Sequence, residues 1–330
     1  MFMLDECHCD GLRIDSTSNI WGFNDGQGWN DEGFGLLRWI SDKKNFFHRY
    51  PRHKIFIAED WHNDGWVTRP TSQIGCGMDA EWHWFVHEVR RSLENSRDEF
   101  RDMDGIARAL SARFNGDAFK RVIYSESHDE SGNNDALARK IDSNINLNSK
   151  SWIAQKRTTL GATLVLTAPG IPMIWQGQEI FSIDKFTDKT PLDWSRKDTF
   201  KGIFQLYQRL CQLRRNWDNN TRGLRGQHIN CHLVDNLNKV VAFHRWNEGG
   251  PGDDVVVILN FADRSWNAYQ IGLPRWGTWW CRFSSDWKGY SNGFGDFGGH
   301  PVSAENNPKD NMPFRAGFAL APYSALIYSQ

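Results

Sequence analysis

Three short segments, each closing an apolar run with acidic residues, hold the side chains best suited to chemistry. The first is Asp10-Gly-Leu-Arg-Ile-Asp15. Side chains alternate across a strand, so Arg13 and Asp15 share one face while Leu12 and Ile14 take the other. An arginine beside a carboxylate favours its ionised form, which is what a nucleophile needs. A structural Arg-Asp pair at a strand end is an equally good account of this segment alone. The second is Lys54-Ile-Phe-Ile-Ala-Glu59-Asp60, with Ile55, Ile57 and Glu59 on one face. A partly desolvated Glu59 would have a raised pKa and could act as a general acid, although an ordinary strand running into a solvated loop reads the same way. The third is Arg121-Val-Ile-Tyr-Ser-Glu-Ser-His128-Asp129. No G-x-S-x-G nucleophile elbow accompanies its His-Asp pair, and an isolated pair of this kind is more often structural. Three carboxylates ending three strands say more together. Retaining glycosidases need two carboxyl groups about 5 to 5.5 Å apart, and separate strands of one barrel can deliver that at a common rim.

The elements that must position these groups follow an alternating pattern. Strand candidates are Asp10 to Asp15, Lys54 to Glu59, Gly77 to Ala80, Arg121 to Ser127 and Pro172 to Gln176. The longer stretches between them carry helices, which predicts βα units and a parallel sheet. A helix is predicted from about Trp152 to Leu166, ending before Pro169-Gly170. Another carries Ile203, Leu206, Tyr207, Leu210 and Leu213 on one face. After Gly226 the pattern becomes antiparallel β. His228 to Val234, Lys239 to Trp246, Asp254 to Phe261, Trp276 to Phe283 and Phe318 to Tyr328 read as strands, with turns such as Gly249-Gly250-Pro251-Gly252 between them. The expected division is residues 1–222 and 223–330.

Composition narrows the classes. The 330 residues include 39 basic and 40 acidic side chains, for a net charge of -1. That gives no electrostatic footprint for nucleic acid or an anionic membrane, and no apolar run is long enough to span a bilayer. The 14% aromatic content excludes intrinsic disorder. Seventeen tryptophans tilt the reading toward sugar stacking, although core packing is the better account of any single one. Six scattered cysteines read as free thiols, with Cys7 and Cys9 as buried thiols near a strand start. Free thiols point to a reducing cytoplasm. His48, His53, His62, His83 and His87 are plentiful. His83 and His87 have i, i+4 spacing, but no Glu follows His83, so the metalloprotease pattern fails. Neither a metal site nor a cofactor is assigned.

The three acidic segments resemble, in order, motifs of the alpha-amylase superfamily of glycoside hydrolases and transglycosidases. Pro169-Gly-Ile-Pro-Met-Ile-Trp-Gln-Gly-Gln-Glu179 and Pro191-Leu-Asp-Trp194 extend the likeness. Ser125-Glu-Ser-His-Asp-Glu130 and the downstream β region look most like 1,4-alpha-glucan branching enzymes. The resemblance implies a partial (β/α)8 TIM barrel, strands 4 to 8 only, followed by a C-terminal antiparallel β-sandwich. It implies Asp15 as nucleophile, Glu59 as acid/base and Asp129 as stabiliser of the transition state. It also implies Arg13 orienting Asp15, and His128 bonding the sugar at the cleavage point. Gly11 fits a tight backbone position, or an ordinary strand glycine. Trp61 and Trp66 are candidates for the acceptor side. The implied partner is an alpha-1,4-glucan.

Only nine residues precede Asp10, whereas the family has three further strand-helix units before its nucleophile strand. Leu4 to Cys9 looks like the tail of the third helix, and the sequence reads as the C-terminal part of a longer enzyme. Unpaired edges beside Asp10 to Asp15 and at the eighth strand would leave this polypeptide poorly soluble or inactive alone. Branching and hydrolysis use the same carboxylates, so the motifs leave both open, along with a non-catalytic carbohydrate-binding fragment.

Overall fold

A computed structural model describes residues 2–23, 28–47, 54–82, 84–146 and 150–330. The chain divides into two compact units, one from residues 1–84 and 112–123, the other from 85–111 and 124–330.

In the first unit, the strands Gly11–Ile14, Ile55–Glu59, Ala80–Trp82 and Arg121–Ile123 lie side by side in chain order, and all their pairings are parallel. The pleat sorts their side chains as the sequence predicts. Phe56 and Ala58 are buried, and Leu12 and Ile14 pack with them against Phe34 and Leu37 of the helix Asp31–Phe47. The opposite face carries Arg13, paired in register with Ile57, and Glu59, paired with Trp82. Gly11 proves to be a tight position. A Cβ there would sit 2.0 Å from the Ile55 carbonyl oxygen, so any side chain would push two neighbouring strands apart. Among the described residues, Gly11–Ile14 pairs on one side only.

Several boundaries differ from the sequence reading. The predicted strand from Gly77 begins only at Ala80, because Gly77 has a φ of +72° and the Asp79 carboxylate accepts the Phe56 N–H at 2.8 Å in place of a backbone partner. The N-terminal helix covers Phe2–Asp5, and the chain then turns, with the Cys9 N–H bonded to the Met3 carbonyl at 3.0 Å. Cys7 is exposed rather than buried, because it follows the end of that helix. The strand foreseen over Arg121 to Ser127 stops at Ile123.

The second unit is assembled around the helix Trp152–Thr167, which is buried on nearly every side. Its two charged residues find partners inside the unit, although Arg157 Nε makes no hydrogen bond among the described residues. Lys156 pairs with Asp286 at 2.7 Å, and Arg157 donates to the Tyr323 hydroxyl at 2.8 Å and the Asn95 carbonyl at 3.0 Å. The helix Lys201–Arg214 buries the predicted stripe of Ile203, Leu206, Tyr207, Leu210 and Leu213. The strand expected over Pro172 to Gln176 is limited to Ile171–Pro172.

The all-β segment forms two antiparallel sheets. One has six strands, ordered Val302–Ser303, Thr278–Ser284, Ser324–Ser329, Val255–Asn260, Val240–Trp246 and His228–Asp235. The other pairs Trp266–Leu273 with Phe314–Leu320. One core joins them, with Val240, Val256, Ile258 and Tyr328 from the larger sheet meeting Ile271, Leu273 and Phe318 from the smaller. The sequence reading missed Trp266–Leu273 and merged the last two strands into one. Pro322 cannot donate to a ladder and Tyr323 turns at a φ of +44°, so the chain leaves the small sheet there and re-enters the large one.

Candidate active site

Arg13 organises the candidate site in the first unit. Its Nη1 donates to Asp15 Oδ1. Its Nη2 lies 2.8 Å from Glu59 Oε2, an ion pair whose angle falls short of a hydrogen bond. The guanidinium carbon sits 5.0 Å from the centre of the Trp82 ring, so the indole fixes the plane of the fork while its two ends reach two carboxylates. The arrangement follows from the parallel register. Arg13 projects from the middle of one strand, Glu59 from the end of the next and Trp82 from the end of the third.

The turn after the first strand completes the setting. Ser16 takes a φ of +46°, and its N–H donates to Glu59 Oε2 at 2.9 Å. Thr17 donates through its N–H and its hydroxyl to the Glu59 carbonyl, at 2.8 and 2.7 Å. The Glu59 carboxylate thus accepts one backbone N–H and meets Arg13, while Thr17 pins the Glu59 main chain. The Glu59 side chain is 15% exposed, whereas that of Asp15 is 76% exposed. One acid is therefore held and the other stands open to an incoming molecule.

The adjacent Asp60 is structural. It is buried, and it accepts from Thr17 Oγ1 at 2.9 Å, Trp21 Nε1 at 2.8 Å and the His62 N–H at 3.1 Å. Trp61 is exposed, with its indole open to solvent. Trp66 instead belongs to an aromatic cluster, 5.1 Å from Trp21 and 5.3 Å from Phe34 between ring centres. That corrects its reading as an acceptor-side residue, because its faces are taken by packing.

His128 and Asp129 are neighbours in the second unit. His128 Nε2 is 3.4 Å from Asp129 Oδ2, and both side chains are partly exposed. Ser127 Oγ accepts the Asp129 N–H at 3.1 Å, which anchors a turn that continues into a short π-helical segment, Glu130–Asn134. Beside His128, at 6.3 Å between rings, stands Trp175, which meets Phe186 edge-on at 5.0 Å. Both aromatics line a recess that also includes Gln176, Asp184, Lys185 and Glu126. Glu126 is buried; it accepts the Leu137 N–H at 2.8 Å and lies 4.0 Å from Arg90. Burial pushes its pKa up to about 7, against the opposing pull of Arg90.

The structure therefore brings Arg13, Asp15 and Glu59 together in one unit, and His128 and Asp129 together in the other. Sequence reasoning missed Trp82 and the Trp175–Phe186 pair. Period-two alternation from Ala80 would have placed Trp82 on the functional face. No local signal points to the recess, which forms from segments about 50 residues apart. Among the described residues, no three His, Cys, Asp or Glu side chains form a metal-binding group. His48, His53 and His83 lie outside the described residues. No helix among the described residues is long and apolar enough to cross a membrane.

The chain thus joins a parallel α/β arrangement with acids clustered at its strand ends to a two-sheet β segment. Residues 231–330 match the family described as alpha amylase, C-terminal all-beta domain. Over 99% of its length the chain is similar to proteins named 1,4-alpha-glucan branching enzyme GlgB. It is 25% identical to that of Mycolicibacterium paratuberculosis and 26% identical to that of Leifsonia xyli, covering 45% of each relative. The chain therefore spans less than half the length of the curated relatives it matches. Among solved structures, a pullulanase complexed with maltotetraose from Anoxybacillus sp. LM18-11 aligns over the whole chain and 45% of its own length, with a TM-score of 0.65 and 17% identity. An Anoxybacillus alpha-amylase aligns with a TM-score of 0.62 and 16% identity over 99% of this chain and 60% of its own. Residues 231–330 therefore fit an alpha-amylase C-terminal domain, and the chain as a whole is similar to 1,4-alpha-glucan branching enzymes.

Proposed function

We propose that this chain carries the catalytic carboxylates of a retaining alpha-glucan-active enzyme, and that its reaction is 1,4-alpha-glucan branching. The observation that carries the reading is the Arg13 guanidinium shared between Asp15 and Glu59 at the ends of adjacent parallel strands. Two carboxyl groups on one short fork suit double displacement, in which one attacks while the other moves a proton.

In this reading Asp15 attacks the anomeric carbon of a bound glucan as Glu59 protonates the departing oxygen, leaving a β-glucosyl ester on Asp15. Glu59 then takes a proton from the 6-hydroxyl of an acceptor glucan, which attacks the ester and frees Asp15. Arg13 orients Asp15 through the hydrogen bond from its Nη1. Asp129 holds sugar hydroxyls in the distorted, oxocarbenium-like state, with His128 bonding the same sugar. Trp61 offers an open indole to an acceptor chain. Residues 1–222 would supply strands 4 to 8 of a (β/α)8 barrel, and residues 223–330 its C-terminal β-sandwich. A cytoplasmic setting fits the six unpaired cysteines.

The test uses amylose, with iodine staining and reducing-end release measured together. Branching lowers the stain without new reducing ends. Loss of stain with matching reducing ends replaces branching by hydrolysis. Asp15→Asn and Glu59→Gln should each abolish either activity. Wild-type turnover in the Asp15→Asn variant sinks the assignment.

A further inference from the structure

A cavity of about 240 Å³ opens in the second unit, formed where the starts of two helices meet a loop of the β segment. Its lining includes Lys150, Lys201 and Lys288 and the rings of Trp152 and Tyr290, and it contains no carboxylate. Among the described residues none of the three lysines has an ion-pair partner. Three like charges around one small cavity repel one another unless an anion joins them.

The packing that assembles the cavity is specific. A Cβ on Gly202 would lie 2.2 Å from the Tyr290 carbonyl oxygen, so only glycine lets the start of the Lys201–Arg214 helix press against the Gly289–Tyr290 backbone. That contact brings Lys201 and Lys288, 87 positions apart in the sequence, to one opening. A Cβ on Gly293 would touch Trp152 at 3.5 Å, which seats the same loop beside the start of the Trp152–Thr167 helix. The helix beginning at Lys201 has no side-chain cap, so its first N–H groups are open to an acceptor. Gln155 also lines the cavity and is only 3% exposed. Its side-chain amide makes no hydrogen bond among the described residues and is not sealed from the cavity.

We propose that this cavity binds a phosphorylated sugar. A phosphate monoester carries close to two negative charges near neutral pH and three strong acceptor oxygens, which suits three lysines and an uncapped helix start. The two aromatic rings and the amide of Gln155 suit the apolar faces and hydroxyls of a hexose. The volume fits one such unit and excludes a folded peptide segment. The site shares no residue with the Asp15 and Glu59 pair, and its test does not depend on their roles.

Calorimetric titration of the full 330-residue chain with glucose 6-phosphate tests the proposal. Saturable binding is expected, weakening as salt rises. Glucose alone should give none up to about 10 mM, as expected when the charge supplies most of the affinity. Lys201→Gln and Lys288→Gln should each weaken binding by about tenfold, the effect of losing one charge-assisted hydrogen bond. Lys201→Arg should retain binding. Gln155→Leu should weaken glucose 6-phosphate more than inorganic phosphate. All three lysines are exposed, so these changes should leave the core intact, which circular dichroism checks. Absence of binding, indifference to both lysine substitutions, or equal affinity for inorganic phosphate overturns the proposal.

Discussion

Replacing Glu126 with glutamine gives a sharp test of the electrostatics beside His128. The carboxyl is fully buried, and desolvation raises its pKa from 4.5 to about 7 even with Arg90 nearby. In the unfolded chain the group titrates near 4.5. Between these values the folded state holds a proton that the unfolded state has lost, so stability falls as pH rises. The contribution is fully present below pH 4.5, declines through the interval and is gone above about pH 7. A difference of roughly 2.5 units at 1.36 kcal/mol each amounts to about 3 kcal/mol. Glutamine keeps an acceptor for the Leu137 N–H and carries no charge. Urea unfolding followed by circular dichroism should therefore show Glu126→Gln close to wild type at pH 4.5 and about 3 kcal/mol more stable at pH 8. An equal difference at both pH values, or a variant less stable at pH 8, refutes the reasoning.

Other expectations follow from single contacts. Among the described residues, Lys156→Met leaves the buried Asp286 carboxylate with only the Gly295 and Phe297 N–H groups as donors, and should cost about 3 to 5 kcal/mol in urea unfolding; a loss below about 1 kcal/mol would mean the pair is solvated. Gly11→Ala sets a methyl 2.0 Å from a backbone oxygen, so limited proteolysis should cut the first unit faster while sparing residues 231–330; an unchanged digestion pattern contradicts the close approach. With an aromatic disulfide reagent under native conditions, exposed Cys7 should react first. Cys76, fully buried with its thiol pushed up to about 12 by desolvation and then by Asp60, should react only after denaturant is added, as mass mapping of the labelled peptides would show.

How much was legible in advance depends on the range of the interactions involved. The strands ending at Ile14 and Glu59, and the shared face of Arg13 and Asp15, follow from period-two alternation. The buried stripe of Lys201–Arg214 follows from helical spacing in the same way. The free thiols and the two-sheet β segment were also readable. The boundary between the last two strands was not, because Phe318 to Tyr328 is apolar throughout and the break comes from a proline and a left-handed Tyr323. Trp66 reads from the sequence as an acceptor-side candidate, and only its four-ring cluster shows that it belongs to the packing.

By itself the sequence determined which residues could bear charge at strand ends and in which order they occur. Those are local properties, set by side-chain chemistry and backbone period. The tertiary structure decided that one guanidinium serves both Asp15 and Glu59, that Trp82 backs it, and that Asp60 is locked into the core. It also decided that Lys156 and Arg157 sit inside a helix buried on nearly all sides, and that three distant lysines share one cavity. Each of these depends on parallel register or on packing between segments tens of residues apart. Register and packing are fixed by burial of the whole unit, and no short window of sequence contains that information.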